Sequence, residues 1–560
     1  MLSRKVTTLA LIAFCGAAAA VCQAATVNIS PGIDIPAVVD ANPAGTTFVI
    51  HPGVYRMQTI IPKNGDIFIG ESGAILNGSR LLTSFSKEIV NGVTYWVAEG
   101  PTQPGLLLSR CDDNFPMCRY PENLYIDNKP FLRASSLSSI TTGTCYYDYS
   151  AGKIYFVDNP IGHTVETSST PVAFQTESMG KFFSNVTIQG LIIEKYATPG
   201  LRSTIGGQYG GSNWIVENNE VRLNHGEGVR VGNGSQVLNN YIHDNGQMGI
   251  GISMTTTAVL VQNNEIARNN WAHFRVTFEA GGVKFGQVLN LTARDNYIHD
   301  NVGVGLWCDG SCSGGLYENN TVANNTMHGI MHEISHSWTI RNNVSIGNGG
   351  AGIQIDESDH VEVANNFVAD NYKAIAMTMV YRASWADLNN NYVHDNIIVT
   401  GGVNGITGLY QKMNNNAYYT SKNNRFANNT YCMPASSRGY YWWMNWYQTT
   451  EAWKGYGQDV SGKWACPGVY ISSPSNAATL SGKVLVSTFA ADTVSVTKVL
   501  YYVDGVLVGT STTKASTTSP YTYTWDTTKD TNGRHTLEAK AYNHDGQSST
   551  SSVTVTVQNP

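Results

Sequence analysis

The chain has 560 residues, which is enough for more than one domain. It carries 35 basic and 41 acidic residues, so its formal net charge is −6. This acidic balance argues against nucleic acid or an anionic membrane surface as the main partner. After the N-terminal segment, no apolar run is long enough to cross a membrane.

The N-terminal segment has the pattern of a secretory signal peptide. Arg4 and Lys5 precede the apolar run "VTTLALIAFCGAAAAV" and the short sequence "CQA". This order predicts a signal peptide over residues 1–24, cleaved after Ala24, and hence a secreted or periplasmic protein. A lipoprotein signal centred on Cys22 is an alternative, but the residues before that cysteine fit it poorly. Cleavage would remove Arg4 and Lys5, which leaves 33 basic against 41 acidic residues and a net charge of −8.

A repeat of asparagine pairs organises the middle of the chain. Most intervals between pairs are 21 to 24 residues, and each pair follows a short apolar strand such as "WIVENN" or "WTIRNN". A period of this size, built from short strands without helix, predicts a parallel β-helix whose turn asparagines stack from coil to coil. One interval of 32 residues contains "WAHFRVTFEA", which we expect to form a loop on the binding face. The pairs begin at Asn218, Asn239, Asn263, Asn319, Asn342 and Asn365, and Asp295–Asn296 fills the gap.

The other segments set the domain boundaries. Residues 25–468 form the predicted β-helix. Residues 105–175 interrupt it with two hairpin patterns, "LYIDNKPFLRA" and "CYYDYSAGKIYFVDN", which predict a small antiparallel β insertion. The aromatic segment 436–460 is either a cap over the open end of the core or a platform for stacking sugars. Residues 469–560 alternate apolar and polar positions between short turns, which predicts an immunoglobulin-like β-sandwich serving as a spacer or a binding module.

Seven cysteines follow the signal peptide, and exported proteins form disulfides readily. Their odd number leaves one thiol unpaired, which we assign to Cys145. No spacing among them resembles a zinc site. Closeness in the sequence predicts three disulfides: Cys111–Cys118, Cys308–Cys312 and Cys432–Cys466.

Glycine-led strands recur once per coil and can be aligned with one another. Because side chains alternate along a strand, the fourth position of each faces the core, and the third and fifth face outward. His332 occupies a fourth position, where it is either a core histidine or a group that orients Glu333 from below. The outward third positions include Arg230, Lys284, Trp307 and Gln354. Three consecutive fifth positions hold Asp309, Glu333 and Asp356.

Three acids in one outward-facing row are energetically unfavourable if they serve only as surface residues. Coils lie about 4.8 Å apart, so Asp309 and Glu333 are one spacing apart, and Asp309 and Asp356 are two. Stacked like charges repel and raise the pKa of at least one carboxyl group. Such separations suit glycoside hydrolysis, where carboxyl groups about 5 Å apart act with retention and those about 6.5–9.5 Å apart act with inversion. Glu279 lies in the same region, at the end of the long-interval loop beside Lys284.

The segments "FEAGGVKF", "RDNYIHDNVGVGLWCDG", "GIMHEIS" and "TIRNN" occur in that order. They resemble secreted bacterial right-handed parallel β-helix proteins of the pectin-lyase-like class, which act on polysaccharides. The resemblance covers about residues 25–465 and implies an all-β fold, with the immunoglobulin-like domain after it. Such β-helices include inverting glycoside hydrolases, polysaccharide lyases and uronate epimerases. In the hydrolases, outward acids on neighbouring coils serve as acid and base, and by resemblance Asp309, Glu333 and Asp356 would do so.

Three functions stay open at this point. The preferred hypothesis is an inverting glycoside hydrolase in which Asp309, its pKa raised by Glu333, is the general acid and Asp356 or Glu333 activates water. The second is a polysaccharide lyase or uronate epimerase, in which Lys284 abstracts a proton while Arg230 or a bound calcium ion neutralises the uronate. The third is a non-catalytic carbohydrate-binding adhesin.

The partners follow from the preferred hypothesis. We expect a monomer that binds a polysaccharide or oligosaccharide and that has no resident cofactor, with calcium as the alternative. No nucleic acid and no membrane insertion are expected. Six side chains would contact the sugar: Glu279, Lys284, Trp307, Arg230, His332 and Gln354.

Overall fold

The fold is all-β, as predicted: a parallel β-helix carries an antiparallel insertion and is followed by a β-sandwich. The predicted signal peptide, residues 1–24, lies outside the residues that the structure describes. Within those residues, no helix is long and apolar enough to span a membrane. The computed structural model describes residues 25–100, 109–178, 181–400, 406–434 and 439–560.

Three long sheets run the length of the β-helix, and most coils contribute one short strand to each of them. Sheet 1 consists of Thr26–Ile29, Thr47–Ile50, Ile67–Gly70, Thr187–Gln189, Ile215–Glu217, Gln236–Leu238, Leu260–Gln262, Thr292–Arg294, Gly315–Glu318, His336–Arg341, Asp359–Ala364, Tyr392–His394 and Arg425–Ala427. Sheet 2 consists of Gly53–Arg56, Ala74–Asn77, Ile192–Glu194, Glu220–Arg222, Tyr241–His243, Glu265–Ala267, Tyr297–His299, Thr321–Ala323, Val344–Ile346, Phe367–Ala369, Ile397–Val399, Thr430–Cys432 and Lys463–Trp464. Sheet 3 consists of Ser203–Ile205, Glu227–Val229, Met248–Thr255, Gly281–Val288, Val304–Asp309, Ile330–Glu333, Ala351–Asp356, Lys373–Met379, Ile406–Gln411, Tyr441–Trp443 and Trp446–Gln448.

Stacked asparagines occupy the turn between sheets 1 and 2, as the repeat predicts. The first asparagine of a pair has a positive φ, such as 55° at Asn218 and Asn239, which this residue tolerates better than most. The second is buried, and its Nδ2 donates to the Oδ1 of the next coil's asparagine at 2.9–3.1 Å. This asparagine ladder consists of Asn219, Asn240, Asn264, Asn296, Asn320, Asn343, Asn366, Asn396 and Asn429.

The antiparallel insertion begins at Ser79, earlier than the predicted residue 105. The strand Ser79–Leu81 pairs with Val165–Ser168, so the chain leaves the β-helix just after the sheet 2 strand Ala74–Asn77. The boundary was wrong because the strands of residues 79–99 have the length and composition of coil strands. Both predicted hairpins are present. The insertion comprises Ser79–Leu81, Ser86–Val90, Val93–Glu99, Leu124–Ile126, Lys129–Pro130, Leu132–Arg133, Thr144–Asp148, Lys153–Phe156 and Val165–Ser168, with 3₁₀ turns at Pro116–Arg119 and Leu137–Ser139 and a following hairpin of Glu177–Ser178 and Lys181–Phe182.

Both ends of the apolar core are covered. The helix Ile35–Ala41 packs Ile35 and Val39 into the core near the first coils. At the other end, the aromatic segment contributes Tyr441, Trp443 and Trp453, which are buried in the same core. The prediction of a cap is therefore confirmed for these three residues. Two further short helices lie in this region: Ala417–Thr420 and Thr450–Gly455.

The C-terminal domain is a two-sheet sandwich that packs on the outer surface of sheet 2. Phe489 and Tyr470 of the sandwich contact Phe367, Val344 and neighbouring apolar side chains of that sheet. The buried β-helix side chains of this apolar contact all belong to sheet 2 strands. One sheet comprises Gly468–Ser473, Lys483–Ala491 and Tyr521–Asp526; the other comprises Thr479–Leu480, Val496–Val503, Val506–Ser511, Gly533–Asn543 and Ser548–Val557, with a 3₁₀ turn at Thr527–Lys529.

The cysteine predictions are confirmed. The structure contains the three expected disulfides, and Cys145 is a buried thiol. The pair Cys308–Cys312 closes a short loop around Asp309 at the end of its sheet 3 strand. This loop therefore holds one of the predicted acids in place.

Candidate active site

The three predicted acids form one file on the outer face of sheet 3. Asp309 is in register with Glu333, and Glu333 is in register with Asp356, on three consecutive parallel strands. The exposed fraction of the side chain is 28% at Asp309, 6% at Glu333 and 15% at Asp356. The file is therefore open to solvent at Asp309 and buried at its centre. We call these three residues the acid file.

Lys284 stands at one end of the acid file. Its Nζ lies 2.9 Å from Asp309 Oδ2 and 3.3 Å from Glu279 Oε1, and it donates to the carbonyl oxygen of Phe278 at 2.7 Å. Glu279 and Phe278 belong to the loop that the 32-residue interval predicts. Lys284 thus joins that loop to the acid file, and three acceptor oxygens surround its ammonium group.

Trp307 is buried beside the acid file and positions Glu333. Its Nε1 donates to Glu333 Oε2 at 2.7 Å, and the Lys284 ammonium lies 3.6 Å from the centre of its ring. Its other neighbours are Val304 and Met331, and only 4% of the residue is exposed. The expectation that Trp307 contacts the sugar is therefore wrong, because a cation and apolar side chains cover its ring.

Glu333 has the most strongly perturbed carboxyl group of the file. Burial raises its pKa to about 7, the negative charge of Asp309 adds to this rise, and the positive charge of Arg382 opposes it. A carboxyl group with a pKa near neutrality can hold and release a proton at working pH. The sequence predicted a raised pKa for Asp309. In the structure, burial raises the pKa of Glu333, which is the more deeply buried of the two.

Arg382 is a site residue that sequence reasoning missed. Its guanidinium donates to Glu333 Oε1 and lies 3.6 Å from Asp356 Oδ2. Its backbone N–H donates to both oxygens of the fully buried Glu357 carboxylate at 2.8–2.9 Å, which fixes the loop that carries it. That loop is a second insertion in the repeat. The interval of 30 residues between the ladder residues Asn366 and Asn396 was the signal for it.

Gln354 positions Asp356 and has little access to solvent. Its Nε2 donates to Asp356 Oδ1 and also to Thr378 Oγ1, the latter at 2.8 Å. Burial raises the pKa of Asp356, with the charge of Arg382 acting in the opposite direction. Gln354 is therefore a support for the acid and has no direct path to a sugar.

Arg230 lies on the same face, on the far side of Lys284 from the acid file. Its guanidinium forms a two-pronged pair with the fully buried Glu227 carboxylate at 2.7–2.8 Å and donates to Ser253 Oγ at 3.0 Å. Glu227 also accepts from Ser203 Oγ at 2.6 Å and was not found from the sequence. Arg230 and Glu279 line one cleft of about 240 Å³. This cleft continues the groove beyond Asp309.

His332 belongs to the core and does not reach the groove. It is fully buried, and its ring lies 5.1 Å from that of Trp338. Neither ring nitrogen has a hydrogen-bond partner among the described residues, and burial lowers its pKa to about 3. The assignment of His332 to substrate binding is therefore wrong. His332 is therefore a neutral histidine of the core, which was the alternative interpretation.

Comparison with known proteins gives matches for both domains. Residues 203–368 match the family model described as a right handed beta helix region, and residues 467–539 match that of a bacterial Ig domain. The solved structure described as the complex of XylC with xylose has a TM-score of 0.63 with 15% identity, over 83% of this chain and 89% of that chain. This similarity concerns the fold.

Four curated relatives match a short part of the sequence. Mannuronan C5-epimerase AlgE5 of Azotobacter vinelandii is 41% identical over 75 residues, and AlgE2 of the same organism is 43% identical over 70 residues. These matches cover 13% and 12% of this chain and 7% of each relative. The chain therefore aligns with only a small part of the length of either epimerase.

The fold and these matches define the class of the protein. It is a right-handed parallel β-helix protein with a C-terminal immunoglobulin-like domain. The acid file, Lys284 and Glu279 all lie within residues 203–368, the segment that matches the β-helix model.

Proposed function

We propose that the protein is an exported glycoside hydrolase that cleaves a neutral glycan with retention of the anomeric configuration. The observation that carries the proposal is the register of Asp309 with Glu333 on adjacent strands, where the buried member has a pKa of about 7. Two carboxyl groups one coil apart have about the 5 Å separation of a retaining pair. Their environments differ in the way that two roles require.

Each carboxyl group has one role in this mechanism. The Asp309 carboxylate, paired with Lys284, attacks the anomeric carbon, while Glu333 gives its proton to the departing glycosidic oxygen. The product is a glycosyl ester on Asp309 and a Glu333 carboxylate. Glu333 then takes a proton from water, whose oxygen attacks the same carbon and releases Asp309. Trp307 and Arg382 hold Glu333 in position throughout.

Inversion would use Asp356 instead. That residue lies two coils from Asp309, about 9–10 Å away, which leaves room for a water molecule between them. Asp356 accepts from Gln354 at Oδ1, and its Oδ2 lies 3.6 Å from Arg382, so it resembles Glu333 in having donors beside it. Glu333 stands between the two acids and has no function in such a scheme. The structure therefore favours retention over the inversion expected from the sequence.

A lyase or epimerase mechanism fits the site less well. Lys284 is surrounded by three acceptor oxygens, so no direction is left from which its Nζ could take a substrate proton. Arg230 and Arg382 are likewise paired with carboxylates and are not available to neutralise a uronate. Lys284 and Arg382 also pair with the acids that a calcium ion would need as ligands. The partial likeness to the epimerases supports this alternative, but the paired cations count against it.

The charge around the groove favours a neutral substrate. The acid file and its surroundings contain six carboxyl groups and three cations, so the region repels an acidic glycan unless several groups are protonated. The neighbouring fold solved with xylose, a neutral sugar, supports the same choice. The carboxyl groups belong to Glu227, Glu279, Asp309, Glu333, Asp356 and Glu357, and the cations to Arg230, Lys284 and Arg382.

Product stereochemistry tests the proposal. The purified protein is incubated with a panel of neutral and acidic polysaccharides, and the first reducing ends formed are followed by proton NMR before they mutarotate. We expect product from a neutral glycan with its original anomeric configuration. Inverted product would overturn the role of Asp309 as nucleophile and favour Asp356 as base. An unsaturated product that absorbs in the ultraviolet would show a lyase and overturn the hydrolase.

A matched variant separates the site from contamination. Glu362 is an exposed acid in the sheet 1 strand that follows Asp356, outside the groove. Glu362→Gln should keep full activity, whereas Glu333→Gln prepared in the same way should lose about 10³-fold in activity. Equal activity of the two variants would show that the acid file does not cleave the substrate.

A further inference from the structure

A second cleft on sheet 3 lies beyond Asp356, at the opposite end of the acid file from Lys284. Its volume is about 280 Å³. Asp356 is in register with Thr378, and Thr378 with Tyr410, so the cleft begins one coil away from the last acid. We call it the aromatic cleft, and its side chains include Tyr372, Lys373, Thr378, Tyr410, Trp442 and Tyr447.

The aromatic cleft is in line with the acids along the solenoid axis. Gln354 is in register with Ala376, then with Gly408, then with Trp442. Trp442 is therefore four coils from Glu333, or about 19 Å at 4.8 Å per coil. Ala376 and Gly408 line the floor of the aromatic cleft. Because alanine has only a methyl group and glycine has no side chain, they leave space above this floor. A linear ligand that runs parallel to the solenoid axis would therefore pass from the acids to Trp442.

The aromatic rings form two walls of this cleft. The Trp442 ring meets Tyr410 edge to face at 5.7 Å and meets Tyr447 edge to face at 4.7 Å. Edge-to-face contacts fix the rings without covering every flat face. In the cap nearby, by contrast, Tyr441 and Trp453 stack face to face at 4.7 Å inside the core. The same segment therefore supplies both a core and a partly open aromatic surface.

Trp442 also has a buried polar atom, its indole Nε1, which finds no acceptor among the described residues. Trp307, Trp464 and Trp525 each donate their Nε1 to an oxygen at 2.7–2.8 Å, whereas among the described residues the buried Nε1 atoms of Trp442 and of the core residue Trp338 have no partner. A buried donor without an acceptor is costly. Lys373, at the side of the cleft, forms no ion pair in the described part of the chain.

We propose that the aromatic cleft is a subsite for a pyranose unit of an extended glycan that lies along the solenoid axis. A pyranose has an apolar face of C–H groups that can pack on an aromatic ring, and hydroxyl oxygens that can accept from Trp442 Nε1 and Lys373. The 19 Å to Glu333 requires several linked sugar units. The inference rests on the proposed function and makes the substrate a polymer or a long oligosaccharide.

Binding measurements on an inactive protein test the subsite. The probes are xylo-, cello- and manno-oligosaccharides of two to eight units, titrated by calorimetry into the Glu333→Gln protein. In that background, Trp442→Ala should weaken binding of the longest chains about tenfold and leave disaccharide binding unchanged. Trp442→Phe, which keeps a ring but loses the N–H, should weaken it about threefold.

The control is Trp446→Ala. Trp446 lies in the neighbouring strand of the same hairpin, is 69% exposed and does not line the cleft. In the Glu333→Gln background, the Trp446→Ala protein should bind chains of every length as the Glu333→Gln protein does. If Trp442→Ala does not fold, as judged by circular dichroism, Thr378→Trp fills the cleft from the other side and should produce the same selective loss.

The outcomes separate this inference from the hydrolase proposal. Length-dependent binding that Trp442→Ala abolishes, with no product from the wild-type protein, would keep the subsite and overturn the hydrolase. Cleavage of long and short chains in the same ratio by the wild-type protein and by a Trp442→Ala protein with Glu333 intact would keep the hydrolase and overturn the subsite. Absence of any length-dependent binding across the three probe series would also overturn the subsite.

Discussion

Two polar columns run along the β-helix, and they are built on opposite principles. In the asparagine ladder, each amide donates its N–H to the next residue and accepts through its oxygen from the one before. In the acid file, three neighbouring residues carry only acceptors and repel one another. The ladder is complementary to itself and can continue for the whole solenoid. The file stops after three coils and needs help from other residues.

That help comes from places where the repeat is interrupted. Lys284 follows the loop of the 32-residue interval, and Arg382 lies in the loop of the 30-residue interval. Each cation pairs with acids of the file that the regular coils alone would leave unbalanced. A repeated residue that satisfies its own neighbours indicates structure, whereas a self-repelling set balanced by singular residues indicates a site.

The largest expected effect is on catalysis, from removing one charge of the file. Glu333→Gln keeps the size of the side chain but cannot give or take a proton. We expect kcat/KM on the best neutral glycan to fall by about 10³-fold. If the mechanism is retaining, added azide should restore activity with activated substrates by replacing the water that Glu333 would activate. Activity within tenfold of the wild type would remove Glu333 from the mechanism.

The ladder should show the reverse effect, with stability lost and catalysis kept. Asn343 is fully buried, donates to Asn366 Oδ1 and Tyr317 O at 3.0 Å, and accepts from Asn320. Asn343→Ala leaves these partners unpaired, so the free energy of unfolding should fall by about 2–3 kcal/mol. Urea denaturation measures this loss, and kcat of the folded variant should stay within twofold of the wild type. A stable variant with low activity would contradict the division of roles.

The sequence was a good guide to whatever repeats. The asparagine pairs predicted the β-helix, the ladder and the register that brings Asp309, Glu333 and Asp356 together. The strand alternation also predicted that His332 faces the core, and in the structure this residue is fully buried there. These features depend on local period and on the fixed spacing of coils, both of which can be counted along the chain.

The sequence was a poor guide to what happens above the sheet. Alternation predicts that Trp307 leaves the core, but it cannot show that Lys284 and Met331 then cover the ring. It also cannot show that Arg382, 49 residues from Glu333, returns to pair with it. Outward residues on a solenoid can be buried again by loops, and the path of a loop is set by tertiary contacts such as those of Glu357.

The third effect concerns the pH dependence of stability. Glu333 has a folded-state pKa of about 7 against an ordinary value of 4.5, so the folded protein favours its neutral form. Its stabilising contribution is complete below pH 4.5 and is lost as the pH rises through about 7. Glu333→Gln should therefore exceed the wild type in unfolding free energy by about 1–2 kcal/mol at pH 8, after discounting for relaxation and solvent.

The same measurement at pH 4 provides the control. There both proteins carry a neutral group at position 333, and their stabilities should agree closely. Equal stabilities at pH 8 as well would mean that burial and Asp309 do not strain the Glu333 carboxylate. The acid file would then be free of electrostatic destabilisation, as the asparagine ladder is, and the contrast between the two columns would fail.

The smallest effect is a shift of the pH profile caused by Arg382. Its positive charge lowers the pKa of Glu333, so Arg382→Gln should raise that pKa further and keep the general acid protonated to higher pH. The fall of kcat/KM on the alkaline side should then move upward by about half a pH unit, even though the maximal rate declines. Arg382→Lys retains the charge and should leave the midpoint of this fall in place. A downward shift in Arg382→Gln, or equal shifts in both variants, would mean that Arg382 acts on the acid file through the conformation of its loop and not through its charge.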